Sequence, residues 1–296
     1  MIRVEGPGLG STVQDAGRFA HGRAGVPFSG PADPFAFRAA QALVGNSSSD
    51  ALIEAVGLPF EFRCADARLV AVTGREVTLT VRDPLPAWSS VFVRAGERVT
   101  VSGTPRSRYT YIAVSGGIVS ASVLGSRSTY PRAGLGRVLR AGDELKLGAA
   151  RRTAEHAGHN VAFEYGDRAA AMRGPHEHRF DPDSIARFFG TPFRASSASD
   201  RQGVRLEGAD VAPREGEILT CGVVSGAVQV PRGGAPIVLL ADHQTTGGYP
   251  VIATVTTADI GLVAQRAAGE TLSFYPVDRE RALLRSRELA ALLAIA

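Results

Sequence analysis

A mainly β protein with a few short helices is what the sequence predicts, and three observations carry that expectation. Short runs rich in β-branched and aromatic residues recur along the 296 residues. Glycine and proline, 34 and 17 of them, punctuate those runs. Signals for starting a helix appear at only a few places.

In the first half the strand-like runs are Arg68–Thr73, Glu76–Val81, Ser90–Arg94, Arg98–Val101 and Tyr109–Val114, and the string ALIEAV holds a carboxylate, Glu54, within an apolar strand. In the second half they are Gly222–Val230, Pro236–Leu240 and Val251–Thr256. A small repeat recurs three times. Ala95-Gly96-Glu97 precedes Arg98–Val101, Ala141-Gly142-Asp143 precedes Glu144–Leu147, and Ala268-Gly269-Glu270 precedes Thr271–Phe274. Each reads as a glycine turn feeding a strand with one buried face. Helices are expected after Asp33-Pro34, stopping at Gly45, and after Asp181-Pro182, stopping at Gly190. A third is expected behind Thr257, and a last one behind Asp278 with Leu283, Leu284, Leu289, Leu292 and Leu293 on its apolar side. Residues 149–160 are polar and Ala-rich and read as a linker. The expected organisation is therefore a first β-rich lobe, 1–148, and a second, 161–296, ending in a helix, the two acting as one functional unit.

Bulk properties narrow the function. A hydrophobic share of 44% excludes disorder of the whole chain. The apolar runs are too short to span a bilayer and the N-terminus has no secretory pattern, so a cytoplasmic protein without a membrane role is expected. The net charge is +4, but 33 cationic residues face 29 acidic ones and no basic block forms, so nucleic acid is not an expected partner. Lys146 is the one lysine, and it does not sit in a Met-Lys hairpin, so no biotin attachment is expected. Cys64 and Cys221 are too far apart in sequence to form a disulfide framework and read as buried or half-buried thiols. No P-loop, no G-x-S-x-G elbow and no H-E-x-x-H string is present. His176 and His178 read as a polar strand end more readily than as metal ligands, and no metal is expected.

Four strings are dense in Gly, Arg, Asp and small polar residues. They are Gly10–Arg18 followed by Gly25–Asp33, then Leu124–Thr129 with Gly136-Arg137, then Ser199–Leu206, and finally Asp242–Pro250. In this order they resemble the family of the 5-oxoprolinase C-subunit, also called KipA-like, allophanate hydrolase subunit 2 or biotin-dependent carboxyltransferase. The resemblance runs from about Val4 to Val277. The strings T-V-Q-D-x-G-R and D-x-Q-T-T-G-G-Y-P are its most specific parts, and Gln202 stands where the family often has Met. The resemblance implies a cyclophilin-like β-barrel architecture. It implies a B-type partner (allophanate hydrolase subunit 1-like), and a third protein that uses ATP to complete the opening of 5-oxoproline to glutamate. ATP is then a cofactor of the assembled system. Related sequences supply the carboxyltransferase part of urea carboxylase, and others are described as regulators acting on a kinase inhibitor, so these two readings stay open beside the hydrolase.

Lactam opening needs an activated carbonyl, a water and a stabilised oxyanion, and the substrate is a small polar anion. Arg18, Arg127, Arg201 and Arg205 are the candidates for gripping carboxylate or phosphate, with an ion pair to a nearby Asp as the plain alternative. Gln244, Thr245, Thr246 and Tyr249, between two apolar strands, offer an amide, two hydroxyls and a phenol to a small ligand. Gly247 and Gly248 allow close backbone approach. Asp15 is a candidate catalytic carboxylate and Gln229 a candidate ligand contact. His21 and His243 lie inside the strings and could serve as bases.

Overall fold

In the computed structural model the described residues are 1–295, and they divide into two compact units. The first comprises residues 1–19, 29–164 and 290–295, the second residues 20–28 and 165–289. The segment 149–160, read as a linker, lies in the first unit. There the Ser90 amide donates to the His159 carbonyl and the Val161 amide to the Trp88 carbonyl, both at 2.9 Å.

The first unit is built on two sheets. One has seven strands in the order Ile118–Val119, Glu144–Leu147, Ile2–Gly6, Phe60–Cys64, Arg98–Gly103, Val77–Thr80, Pro84–Pro86. The other has five, in the order Thr12–Gln14, Leu52–Ala55, Thr110–Val114, Arg68–Thr73, Ser89–Val93. Alternation decides what each strand buries. Val4, Phe60, Phe62, Val99 and Val101 from the first sheet meet Ile53, Val70, Val72, Ile112 and Val114 from the second in one core. The other face of the five-stranded sheet is covered by helix α1, Pro34–Leu43, which packs on strands 68–73 and 110–114. Both faces of strand 68–73 are therefore covered, so all six of its residues are buried and its centre, Leu69 to Val72, is apolar without alternation.

Helix α1 starts as expected: the Asp33 carboxylate accepts from the Phe35 and Ala36 amides (3.2 and 3.1 Å), and Pro34 fills the first turn. Glu54, fully buried, helps to fix the same helix entry. Its Oε2 accepts from the Ala32 amide (2.9 Å) and the Tyr111 hydroxyl (2.8 Å), and the Tyr111 oxygen accepts from the Asp33 amide (2.7 Å). Burial, with Glu54 and Asp33 beside it, raises the Tyr111 phenol well above its ordinary range, so it remains a neutral donor.

The second unit is a closed barrel. Its order is Arg168–Arg173, Val251–Val255, Ala227–Gln229, Ile237–Leu239, Gly203–Glu207, Phe193–Ala195, Thr271–Pro276, and the last strand returns to the first in parallel (Arg168↔Ser273, Ala170↔Tyr275). This barrel agrees with the expected mainly β, barrel-type fold. Helix α2, Pro182–Gly190, lays Phe188 against Phe274 (ring centroids 4.8 Å) and Phe193 (5.7 Å).

Several expectations need correcting. The run 222–230 is broken: Cys221–Gly222 and Ala227–Gln229 are separate strands, because Gly226 takes a left-handed turn (φ 86°) and its amide bonds the Leu239 carbonyl. Helix α3 spans Ile260–Ala264, preceded by Asp259 rather than Thr257; the Asp259 carboxylate accepts from the Ala170 amide (2.7 Å) and pairs with Arg285 (2.6 Å). Asp181 precedes α2 without a side-chain cap and pairs with Arg214 instead. Helix α4, Arg279–Leu292, is held at its start by Asp278 Oδ1 accepting from the Arg281 amide (2.8 Å). None of its residues is buried, and Leu283 and Leu284 are exposed, so the expected apolar side is not a core face. Its arginines are too frequent to leave a continuous apolar stripe. No helix among the described residues is long and apolar enough to cross a membrane.

Candidate functional site

The residues singled out from the sequence fall into two clusters, one in each unit. In the first unit, strand 12–14 runs into a loop at Asp15–Arg18 that faces a second loop, 123–129. The second loop doubles back through Leu124 and Gly125, both with positive φ (54° and 79°), so that Val123 and Ser126 pair. Asp15 holds it there. Its carboxylate accepts from the Ser126 and Ser128 hydroxyls and the Arg127 amide, each at 2.6 Å, and from the Gly17 amide at 3.0 Å. Four donors occupy this carboxylate, so its geometry is that of a loop clamp and not of a free base. Arg18 is buried and donates to the Val123 carbonyl (3.1 Å) and the Ser128 carbonyl (2.7 Å). Arg127 reaches the Ser120 carbonyl at 3.2 Å. A cavity of about 350 Å³ opens beside this loop, with Arg18, Ser126, Arg127, Ser128 and Thr129 in its wall. Arg137, also in the wall, is neutralised by a two-pronged pair with Asp143 (2.8 and 2.7 Å). The guanidinium groups of Arg18 and Arg127 bring positive charge to that wall.

In the second unit, the chain leaves strand 237–239 and runs from Leu240 to Pro250 at the barrel's end. Arg201 grips Asp242 through Nε (2.7 Å to Oδ2) and Nη2 (3.2 Å to Oδ1). Arg201 therefore takes the ion-pair alternative, with Asp242 as a partner, and Asp200 Oδ1 accepts from the Gln202 amide. Next along the chain, His243 is buried and its Nδ1 lies 2.6 Å from the Gln244 carbonyl. The Gln244 side chain donates to Gln229 Oε1 at 3.1 Å. Thr246 and Gly247 pair with Gly222 and Cys221, the Thr245 carbonyl accepts from the Val223 amide (3.2 Å), and the Gly248 carbonyl from the Ile218 amide (2.9 Å). Gly247 is required by close approach: a Cβ there would come within 2.5 Å of Gln229 Nε2. Gln244, Thr246 and Tyr249 are exposed, Thr245 is half-buried, and Gln229 is buried.

Arg205 does not join this group. It alternates with the buried Val204 and Leu206 on strand 203–207 and stands on the solvent side. His21 lies in the second unit's segment 20–28, where its carbonyl accepts from the Ala24 amide. His176 Nδ1 is taken by the Val251 amide at 3.2 Å. No group of three or more His, Cys, Asp or Glu among the described residues could hold a metal ion. The feature the sequence underweighted is His243. Its sequence signal was only a histidine inside a polar string, and its burial comes from the barrel end and from Phe28, whose ring meets it edge-on at 6.3 Å.

Comparison with known proteins places this geometry. Residues 24–276 match the family described as carboxyltransferase domain, subdomain A and B. The chain is 35% identical over 290 residues to the C-subunit of 5-oxoprolinase from Escherichia coli, covering 96% of this chain and 93% of that protein. It is 29% identical to urea amidolyase of Saccharomyces cerevisiae, covering 98% of this chain but only 17% of the larger protein. Among solved structures, TTHA0988 superposes with a TM-score of 0.83 at 31% identity over 94% of this chain, which spans just over half (55%) of that chain. The urea amidolyase of K. lactis superposes with a TM-score of 0.86 at 25% identity over 98% of this chain and 20% of that one. The chain belongs to the family of the carboxyltransferase domain, subdomains A and B.

Proposed function

We propose that this chain is the C-type component of an ATP-dependent 5-oxoprolinase, part of a hydrolase for a cyclic amide C–N bond that turns over only with its partners, in the cytoplasm. The observation that carries the reading is end-to-end similarity to a protein named as the C-subunit of 5-oxoprolinase, with nearly all of both chains aligned. Each cluster by itself offers groups of the kind such a system uses: Arg18 and Arg127 for an anion, and the loop 242–250 an amide, hydroxyls and a phenol for a small polar ligand. Thr245, Thr246 and Tyr249 are proposed as substrate contacts, and Arg201 as the residue that fixes their loop. The partners are a B-type protein and a third, ATP-using one.

The helix starts of this chain are poorly suited to the phosphates of ATP. Each of the four helices among the described residues begins behind an aspartate, Asp33, Asp181, Asp259 or Asp278, and α1 and α2 also carry proline at the first position. A carboxylate at the helix start repels a phosphate, and proline removes an N–H that would hold it. Nucleotide binding is therefore proposed for a partner.

The test is reconstitution with the B-type and ATP-using partners, with glutamate release from 5-oxoproline as readout. ATP-dependent release supports the reading, and a stable but inactive complex counts against it. A second reading, carboxyl transfer from biotin on another protein, is favoured by the similarity to urea amidolyase. It predicts that the same complex stays silent with 5-oxoproline and responds to a carboxybiotin donor.

A further inference from the structure

The cavity of about 350 Å³ in the first unit has a lining of mixed character. Val13 and Leu139 in that lining are nearly buried and belong to the unit's hydrophobic core, and Leu145 packs against the same core. Arg18, Arg127 and Arg137 share the lining with Asp143 and Glu144. Arg137 and Asp143 cancel in their two-pronged pair. Three arginines against two carboxylates leave one net positive charge around a space whose other residues are largely apolar. The volume lies at the small end of the range for ligand pockets, about 300–1,000 Å³.

Arg127 is the cation held ready there. Its amide is fixed by the Asp15 carboxylate (2.6 Å), and its Nε donates to the Ser120 carbonyl (3.2 Å). The side chain is thus tied at both ends. The residue is half-buried, and its Nη1 and Nη2 make no hydrogen bond or ion pair among the described residues. With Nε spent, the edge that remains is the end-on fork of Nη1 and Nη2, whose parallel N–H groups match the two oxygens of a carboxylate. A phosphate group, at about −1.5 to −2 charge, would exceed the single net positive charge and strand oxygens against Val13 and Leu139. We propose that this cavity binds a small monocarboxylate with an uncharged body, the carboxylate on the Nη edge of Arg127 and an apolar face of the body against Val13, Leu139 and Leu145. The proposal rests on the part of the functional reading that gives this wall an anion, and it is independent of ring opening. The site is complete within this chain and needs neither partner nor ATP.

The experiment uses the full chain alone, with ligand-observed NMR of cyclopentanecarboxylate as reporter. The competitors are 5-oxoproline, 2-pyrrolidinone (the ring without a carboxylate), inorganic phosphate and glutamate. Cyclopentanecarboxylate should bind and 5-oxoproline displace it, while the other three compete at least about tenfold less well, the size of one charge-assisted hydrogen bond. Arg127→Gln should weaken both carboxylates by about the same factor. Its side chain makes one bond to the protein, so the variant should melt with the wild type. A second readout needs no variant: either carboxylate should slow modification of Arg127 by phenylglyoxal, followed by mass spectrometry, and leave Arg98, whose side chain is 52% exposed, unchanged. Phosphate or glutamate competing as well as 5-oxoproline overturns the proposal, as does binding untouched by Arg127→Gln or absent altogether. Turnover by the assembled complex remains a separate readout. Glutamate release by a complex whose chain fails these tests keeps the ring-opening reading and removes this one, and carboxylate binding without release does the reverse.

Discussion

Replacing Arg201 by alanine exposes what holds the loop 242–250 in place. The guanidinium makes two bonds to Asp242, whose side chain is only 6% exposed against 17% for Arg201. Deleting the cation leaves a carboxylate that water barely reaches. Breaking one partner of such a pair costs about 3–5 kcal/mol, far more than the pair is worth against an apolar replacement. For a structure of this size each kcal/mol lowers Tm by about 2–4 °C, so Arg201→Ala should melt about 6–20 °C lower. Denaturant unfolding gives the free energy, and hydrogen-exchange mass spectrometry localises it to peptides covering 199–207 and 238–256. The double replacement Arg201→Met with Asp242→Leu should recover most of the loss, because no charge is then stranded. A loss below about 1 kcal/mol, the size of an exposed pair, would refute the reasoning. So would a double variant as weak as the single one.

Asp15→Ala should destabilise the chain by about 3–5 kcal/mol, since two buried hydroxyls and the Arg127 and Gly17 amides lose a charged acceptor together; urea unfolding measures it, and a near-neutral result would mean the 123–129 loop is held by other contacts. Cys64 is fully buried and burial pushes its thiol up to about 12, whereas Cys221 is half-exposed, so a thiol reagent at pH 8 should modify one cysteine rapidly and the second only after unfolding. Two fast thiols would contradict the burial of strand 60–64. His243 and His176 are both held below the ordinary histidine value of 6.5, in each case chiefly by burial. The unfolded chain therefore takes up protons first. Stability should be level above about pH 6.5 and fall as pH drops from there toward 5, before the carboxylates titrate, with a limiting slope of about 1.4 kcal/mol per pH unit for each fully shifted group. His243→Asn should flatten that slope, and an unchanged profile would remove His243 as its source.

Much of the fold was legible because alternation and turn chemistry are local. The three Ala-Gly-acid turns each precede a strand that begins where expected, at Arg98, Glu144 and Thr271, and Asp33-Pro34 opens α1. What was not legible depended on partners distant in sequence. Strand 168–173 reads RAAAMR, a helix-like composition, yet Ala169, Ala170 and Ala171 are wholly buried in the barrel wall between two strands that arrive about 80 and 100 residues later. Run 222–230 looks continuous until Gly226 meets Leu239 on the neighbouring strand. The site shows the same division. The strings fell on the loops that hold Asp15 and Gln244, because polar residues between apolar runs are a local signal. Their roles were set by neighbours that no spacing reveals: Ser126 and Ser128 for Asp15, and Asp242 for Arg201. Arg205 shared a string with Arg201 but faces solvent, since neighbouring strings do not imply a shared face.

The parallel return of strand 271–276 to strand 168–173 has a consequence for how the chain acquires its structure. That last strand sits between 168–173 on one side and 193–195 on the other, so it is the keystone of the ring. Until a ribosome has delivered residue 276, both neighbours present unpaired amides and carbonyls, and no rearrangement of the other strands removes those open edges. Closure joins segments about 100 residues apart, a slow step by loop-closure entropy and one that comes at the end of synthesis. A chain cut at residue 270 would retain six of the seven staves and both adhesive edges. Its expected fate is to add strands from other copies of itself.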